Sequence, residues 1–183
     1  MAHVLLGVSG GIAAYKAADL TSQLIKAGHR VRVMMSPSAT RFVGPLTFEA
    51  MSGHGVMTDA VARAGTGATS AVEHVEWAKW AQVALVAPAT ANTLARLAHG
   101  FADEAISTVL LAVPTHVPLL LCPAMNTQMW NHPLVARNLA TLKALPHVRV
   151  VAPTEKRLAC GDVGVGGLAE VADIVAAVAH AVR

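Results

Sequence analysis

The sequence predicts a single α/β domain over residues 1–183, a doubly wound parallel sheet with helices on both faces. Two observations predict it. Short apolar runs of strand length alternate with longer, helix-like segments along the chain, which is how strands joined by crossover helices read. Several of those runs also end abruptly in Gly, Ser, Thr or Asn. Such exits belong at the carboxyl edge of an open α/β sheet, where ligands sit.

The elements follow in order. His3 to Val8 reads as the first strand, followed by Ser9-Gly10-Gly11 and a helix from Ile12 to Ala27 that stops at Gly28. A glycine pair between strand and helix lets backbone amides approach an anion, and it suits a ligand-free tight turn equally. The segment is neither a G-x-G-x-x-G fingerprint nor a Walker A loop. Arg30 to Met35 alternates as a second strand and leads into Ser36-Pro37-Ser38-Ala39-Thr40. Those hydroxyls suit a helix cap and a phosphate alike.

Residues 53–70 are small and polar and read as a loop. Glu73 to Trp80 is a short helix, Val83 to Ala87 a strand, and Pro88 to Thr93 a polar exit into another helix. Ala102 to Leu111 gives one more helix. The run Val117 to Leu121 then has the composition of a strand buried on both faces. It empties at Pro123 into Ala124-Met125-Asn126-Thr127-Gln128-Met129-Trp130, two amides set among thioethers and an indole. Pro133 to Leu145 is helical, Val148 to Val151 a strand, and Val171 to Val182 a closing amphipathic helix. The arrangement is Rossmann-like or flavodoxin-like.

Composition sets the limits. Hydrophobic residues make up 54% and charged ones 14%, so the chain has a large core and is not a disordered one. The apolar excess also points to subunit contacts. No apolar run reaches the ~18–20 residues of a membrane span, and Met1-Ala2 leads straight into the first strand without a signal peptide. Two cysteines, Cys122 and Cys160, give no disulfide framework, which fits a cytoplasmic protein. A net charge of +3 on scattered basic residues argues against nucleic acid. None of the nine histidines stands in a metal-ligand spacing, so no metal is expected.

Four exits carry ligand-capable groups: Gly10 and Gly11, Ser36 to Thr40, Thr90 to Thr93, and Asn126. Their convergence on one sheet edge predicts a site for a phosphorylated, planar cofactor, with Met and Trp for its ring face. Cys122, inside a strand, reads as a small buried hydrophobe. Cys160 lies in the Gly-rich, non-periodic stretch 156–167, beside Lys156 and Arg157, which would favour its thiolate. That stretch suits an active-site lid and also a plain loop.

Four segments resemble a known family: Ser-Gly-Gly-Ile-Ala-Ala-Tyr-Lys (9–16), Pro-Ala-Thr-Ala-Asn-Thr (88–93), Pro-Ala-Met-Asn-x-x-Met-Trp (123–130) and Leu-Ala-Cys-Gly-Asp-x-Gly-x-Gly (158–166). In this order they are similar to the motifs of the homo-oligomeric flavin-containing cysteine decarboxylases, over nearly the whole chain. The resemblance implies FMN as cofactor, held by Gly10, Gly11, Ser36, Ser38, Thr90, Asn92 and Thr93. It implies His74 as the active-site histidine, Asn126 as the clamp for the substrate carboxylate, and Cys160 as a flap thiol acting late. Met129 and Lys79 would contact the substrate, and the site would form between subunits of a homotrimer or a multiple of trimers.

The family has two enzymatic branches. One decarboxylates 4′-phosphopantothenoylcysteine in coenzyme A biosynthesis: thiol oxidation, CO2 loss, then reduction of the enethiol. The other decarboxylates a C-terminal peptidyl cysteine and releases the enethiol. Cys160 within Lys-Arg-Leu-Ala-Cys-Gly-Asp favours the coenzyme A branch. A non-enzymatic, flavin-binding regulatory subunit is a third reading, disfavoured by the lack of a long acidic extension. Gly167 stands where many bacterial members carry Arg, and no synthetase domain follows Arg183. A stand-alone enzyme, an excised domain and a peptide-branch member all remain compatible with that ending.

Overall fold

The computed structural model describes residues 1–59, 73–157 and 163–182. Five parallel strands form the main sheet: β1 (His3–Val8), β2 (Arg30–Met35), β3 (Val83–Ala89), β4 (Leu119–Pro123) and β5 (Val148–Val150). Their order is β2-β1-β3-β4-β5, the flavodoxin-like order with its switch point between β1 and β3. Register is set by the apolar runs, with Val4 opposite both Val31 and Val83, and Leu85 opposite Leu120. Every residue of β3 and β4 is buried. That burial on both faces explains why they read as continuous apolar runs instead of alternating ones.

Helices cover the two faces. On one lie α1 (Lys16–Lys26), α2 (Pro45–Ser52) and α8 (Val171–Ala181), which bury Leu20, Leu24, Phe48, Ile174 and Val178 against Val4, Leu6, Val33 and Leu85. On the other lie α3 (Glu73–Trp80), α4 (Ala91–His99), α5 (Ala105–Ala112) and α7 (Pro133–Lys143), which bury Trp77, Leu94, Ile106 and Leu139 against Leu5, Val86 and Leu121. Truncating a residue such as Leu85 or Ile106 costs about 2–5 kcal/mol. A one-turn helix, α6 (Thr127–Trp130), follows β4.

Several details differ from the sequence reading, among them that β3 runs on through Pro88 and Ala89. The first helix opens with a 3-10 turn over Ile12–Tyr15 before α1 proper. β4 runs on through Pro123, which pairs with Ala89 after a register shift. The Gly-rich segment is no plain loop: its described parts form an antiparallel hairpin, β6 (Thr154–Arg157) with β7 (Val163–Gly167). The expected Cys160 and residues 60–70 of the expected loop lie outside the described residues. Among the described residues, no helix is long and apolar enough to cross a membrane.

Candidate functional site

A cavity of about 1050 Å³ opens at the carboxyl ends of β1, β2, β3 and β4. Its volume matches the upper end of the ~300–1,000 Å³ typical of small-molecule sites. Gly10, Gly11, Ser36, Ser38, Thr90, Asn92, Thr93, Asn126 and Met129 all line it. The four strand exits therefore meet.

Their convergence is held by hydrogen bonds between exits. Ser9, 1% exposed, donates from Oγ to the Pro88 carbonyl at 2.7 Å and accepts from the Thr90 amide at 3.0 Å. One side chain thus ties the β1 exit to the β3 exit. Ser36 Oγ accepts from the Ala39 amide at 3.2 Å and lies 3.1 Å from Ser38 Oγ. Thr90 caps α4, with its Oγ1 3.2 Å from Thr93 Oγ1. A Cβ at Gly10 would collide with the Ser38 side chain, so glycine is what lets the β1 and β2 exits close together. No carboxylate belongs to this cradle. Hydroxyls and amides gathered at a sheet edge, before the first turns of two helices, suit an anion.

The rest of the wall is mixed. Ile12, Ala13, Met125, Met129 and Leu168 supply apolar surface. Asn126 caps α6, its Oδ1 accepting from the Gln128 amide at 2.8 Å, which fixes the side chain at the rim. The hairpin is clamped to this turn by Met125 N–H donating to the Gly166 carbonyl at 2.9 Å. Gly166 has φ +151°, and a Cβ there would strike the Met125 carbonyl oxygen. Close approach of two backbones is thus the reason for glycine at this position.

The cavity also carries Lys16, Arg96, Asp103 and Glu104, which sequence reasoning left without a role, and Lys156 and Arg157, which it read only as neighbours of the Cys160 thiol. Arg96 and Asp103 form an ion pair at 3.0 Å. Glu104 caps α5 by accepting from the Ser107 amide at 3.2 Å, while its Oε2 is buried without a partner. Burial raises its pKa above the usual carboxylate value, with the Ser107 amide working in the opposite direction. Burial lowers the pKa of Lys16, assisted by neighbouring Lys156. Lys16 closes the first quoted motif and Lys156 opens the Gly-rich stretch. Charge inside a motif was the available signal.

His74 and Lys79 are placed elsewhere. Both are on α3, which does not line the cavity. The carboxyl end of α3 sits at the opposite edge of the sheet, where Trp80 stacks on His3 at the start of β1 with ring centroids 4.5 Å apart. Lys79 is exposed, and His74 Nδ1 is buried without a hydrogen-bond partner. Cys122 is buried in β4, where burial pushes its thiol pKa far up, so it is inert. No group of three or more His, Cys, Asp or Glu able to hold a metal occurs among the described residues.

Comparison with known proteins adds to this geometry. The chain is 44% identical over 172 residues to a probable phosphopantothenoylcysteine decarboxylase of Streptococcus mutans, covering 94% of each. It is 47% identical over 173 residues to the coenzyme A biosynthesis bifunctional protein CoaBC of Bacillus subtilis, covering 94% of this chain but 41% of that one. The chain thus spans well under half of the bifunctional relative. Among solved structures, a PPC decarboxylase mutant complexed with pantothenoylaminoethenethiol superposes with a TM-score of 0.85 at 32% identity, over 98% of this chain and 97% of that one. The FMN binding protein AtHal3 does so with a TM-score of 0.82 at 33% identity, over 98% and 95%. The family model described as Flavoprotein matches residues 1–183, and the chain belongs to that family.

Proposed function

We propose that the chain binds FMN and decarboxylates 4′-phosphopantothenoylcysteine to 4′-phosphopantetheine, as a homotrimer or a multiple of trimers in the cytoplasm. The observation that carries this reading is the meeting of four polar strand exits on one cavity of about 1050 Å³, large enough for a cofactor and a substrate together. The residues present fit FMN. The cradle of Gly10, Gly11, Ser36, Ser38, Thr90 and Thr93 is free of carboxylates, as a phosphate requires, and the close packing of Gly10 on Ser38 brings the β1 and β2 exits together around it. Met125 and Met129 offer polarizable faces to a ring.

The chemistry FMN supplies when bound is hydride exchange at the thiol-bearing carbon, which creates an electron sink beside the carbon losing CO2. Everything else falls to the protein. Ser36, Ser38, Thr90, Asn92 and Thr93 hold the cofactor. Asn126, fixed at its cap, orients the substrate carboxylate, and Met129 packs on the substrate. His74 manages the thiol proton. Cys160 would supply the proton for reduction of the enethiol, and redox neutrality would come from return of the hydride that FMN takes up in the first step.

His74 and Lys79 reach a cavity only across a subunit boundary. Support for that boundary comes from the rim: Ile12 and Tyr15 line the cavity yet are each 60% exposed, and Met129 is 47% exposed. Apolar rim residues of this kind call for a second copy to cover them.

Purified protein supplied with FMN should be yellow and should convert phosphopantothenoylcysteine to phosphopantetheine faster than it converts a Cys-terminated peptide. Mass spectrometry of both reactions checks this. Turnover of the peptide alone would transfer the chain to the peptide branch, and failure to retain FMN would end both enzymatic readings.

A further inference from the structure

The hairpin carries a lysine that none of these roles uses. Lys156 projects from β6, two residues after Thr154, and Thr154 pairs with Gly167 of β7. Side chains two apart on a strand share a face, so Lys156 can turn back over Gly167, and it does. A Cβ at Gly167 would fall on Lys156 Cε and lie 2.7 Å from Cγ and 2.9 Å from Cδ. The absence of a side chain at Gly167 is therefore what gives the lysine stem its path.

The path ends at the cavity wall. Lys156 Nζ donates to the Leu168 carbonyl at 2.9 Å and to Glu170 Oε1 at 3.3 Å. Lys16, at the start of α1, is near enough that Lys156 helps lower its pKa, and Arg157 follows on the same strand. All three cations line the cavity. Among the described residues, Glu170 is the carboxylate bonded to them, and its side chain is 60% exposed. An exposed, single-contact ion pair of this kind is weak and easily exchanged. On the other face of the sheet, Arg96 is already paired with Asp103, and Glu104 is a half-buried acid. The excess positive charge of the cavity therefore sits at the hairpin and the neighbouring start of α1.

Resting on the function proposed above, we propose that Lys156 is a specificity-determining residue: its ammonium, carried over Gly167, leaves Glu170 to pair with the phosphate of the substrate. A dianion gains more from this wall than the Glu170 carboxylate does, because it carries twice the charge and more acceptor oxygens. Lys156 and Gly167 then act as one unit. The lysine supplies the charge, and the glycine supplies the route.

The test compares kcat/KM for phosphopantothenoylcysteine and for the non-phosphorylated pantothenoylcysteine, using the FMN-loaded protein. FMN absorbance reports that each variant is folded. Lys156→Met should reduce the preference for the phosphorylated compound by roughly tenfold or more, the scale of a lost hydrogen bond to a charged group. Lys156→Arg should keep most of it. Gly167→Ala, which retains the lysine, should also reduce the preference, but it should add nothing in a Lys156→Met background. An unchanged preference in Lys156→Met, or a Gly167→Ala effect that adds in full to that of Lys156→Met, overturns the proposal. A wild-type protein that turns over neither compound overturns the functional reading itself, which distinguishes the two failures.

Discussion

The strand-exit cradle and the hairpin wall line one cavity, yet they are built on different physics. In the cradle, Ser9, Ser36, Thr90 and Thr93 bond to backbone groups and to one another, so their positions are set before any ligand arrives. The wall holds Lys16, Lys156 and Arg157, answered by an exposed Glu170. The cradle gives geometry without net charge. The wall gives charge with loosely held geometry. A cofactor that stays bound through many turnovers suits the first, and a substrate that enters and leaves suits the second.

A third region sharpens the contrast, because α3 belongs to neither. The largest expected effect lies there. His74→Asn should leave FMN bound, since no cradle residue is touched, while kcat falls by about 10²–10⁴, the range for losing a general acid–base group. Flavin absorbance and product formation, measured on one sample, check both halves. Near wild-type turnover would remove His74 from the chemistry.

Next in size is the cradle. Gly10→Val places a branched side chain against Ser38, and overpacking of this kind costs about 1–3 kcal/mol. If that cost falls on the bound state, FMN affinity drops roughly tenfold to hundredfold. Flavin titration of the stripped protein measures it. Retention of full affinity would mean that the β1 and β2 exits do not share the cofactor. The Lys156→Met experiment is the matching perturbation of the wall, where substrate preference and not flavin affinity should change.

The same contrast explains what could be read in the sequence. The cradle was legible because each part is local: a strand ends, and the next few residues carry Gly, Ser or Thr. Convergence then follows from the α/β pattern, whereas the strand order, which separates flavodoxin-like from Rossmann-like sheets, comes from the structure. Ser9 was named within the first exit, but its tie to the β3 exit was not legible, because it bonds outward to Pro88 and Thr90, contacts separated by about eighty positions. The hairpin was not legible as strands because its glycines answer to tertiary contacts. Gly166 must clear the Met125 carbonyl, and Gly167 must clear Lys156. Neither leaves an apolar alternation for a period-two reading. Pro123 argued for the end of β4 but pairs with Ala89 all the same, after a register shift in the β3–β4 pairing, the kind of irregularity at which a sheet tolerates proline.

The smallest effect concerns Glu104, at the opposite face from the hairpin. Its carboxyl is held above its ordinary pKa, first by burial, and its Oε2 has no partner. The folded state therefore binds this proton more tightly than the unfolded chain does. Linkage then fixes the sign: Glu104 is least costly below the unfolded value of 4.5 and grows costlier as pH rises through the folded value. Glu104→Gln removes the titration and keeps an oxygen for the Ser107 amide. The difference in Tm between Glu104→Gln and wild type should therefore move in the variant's favour as pH is raised from 4.5 through the folded pKa, then level off. A difference that stays flat with pH would show that folding does not shift this carboxyl, leaving it as ionised at neutral pH as in the unfolded chain.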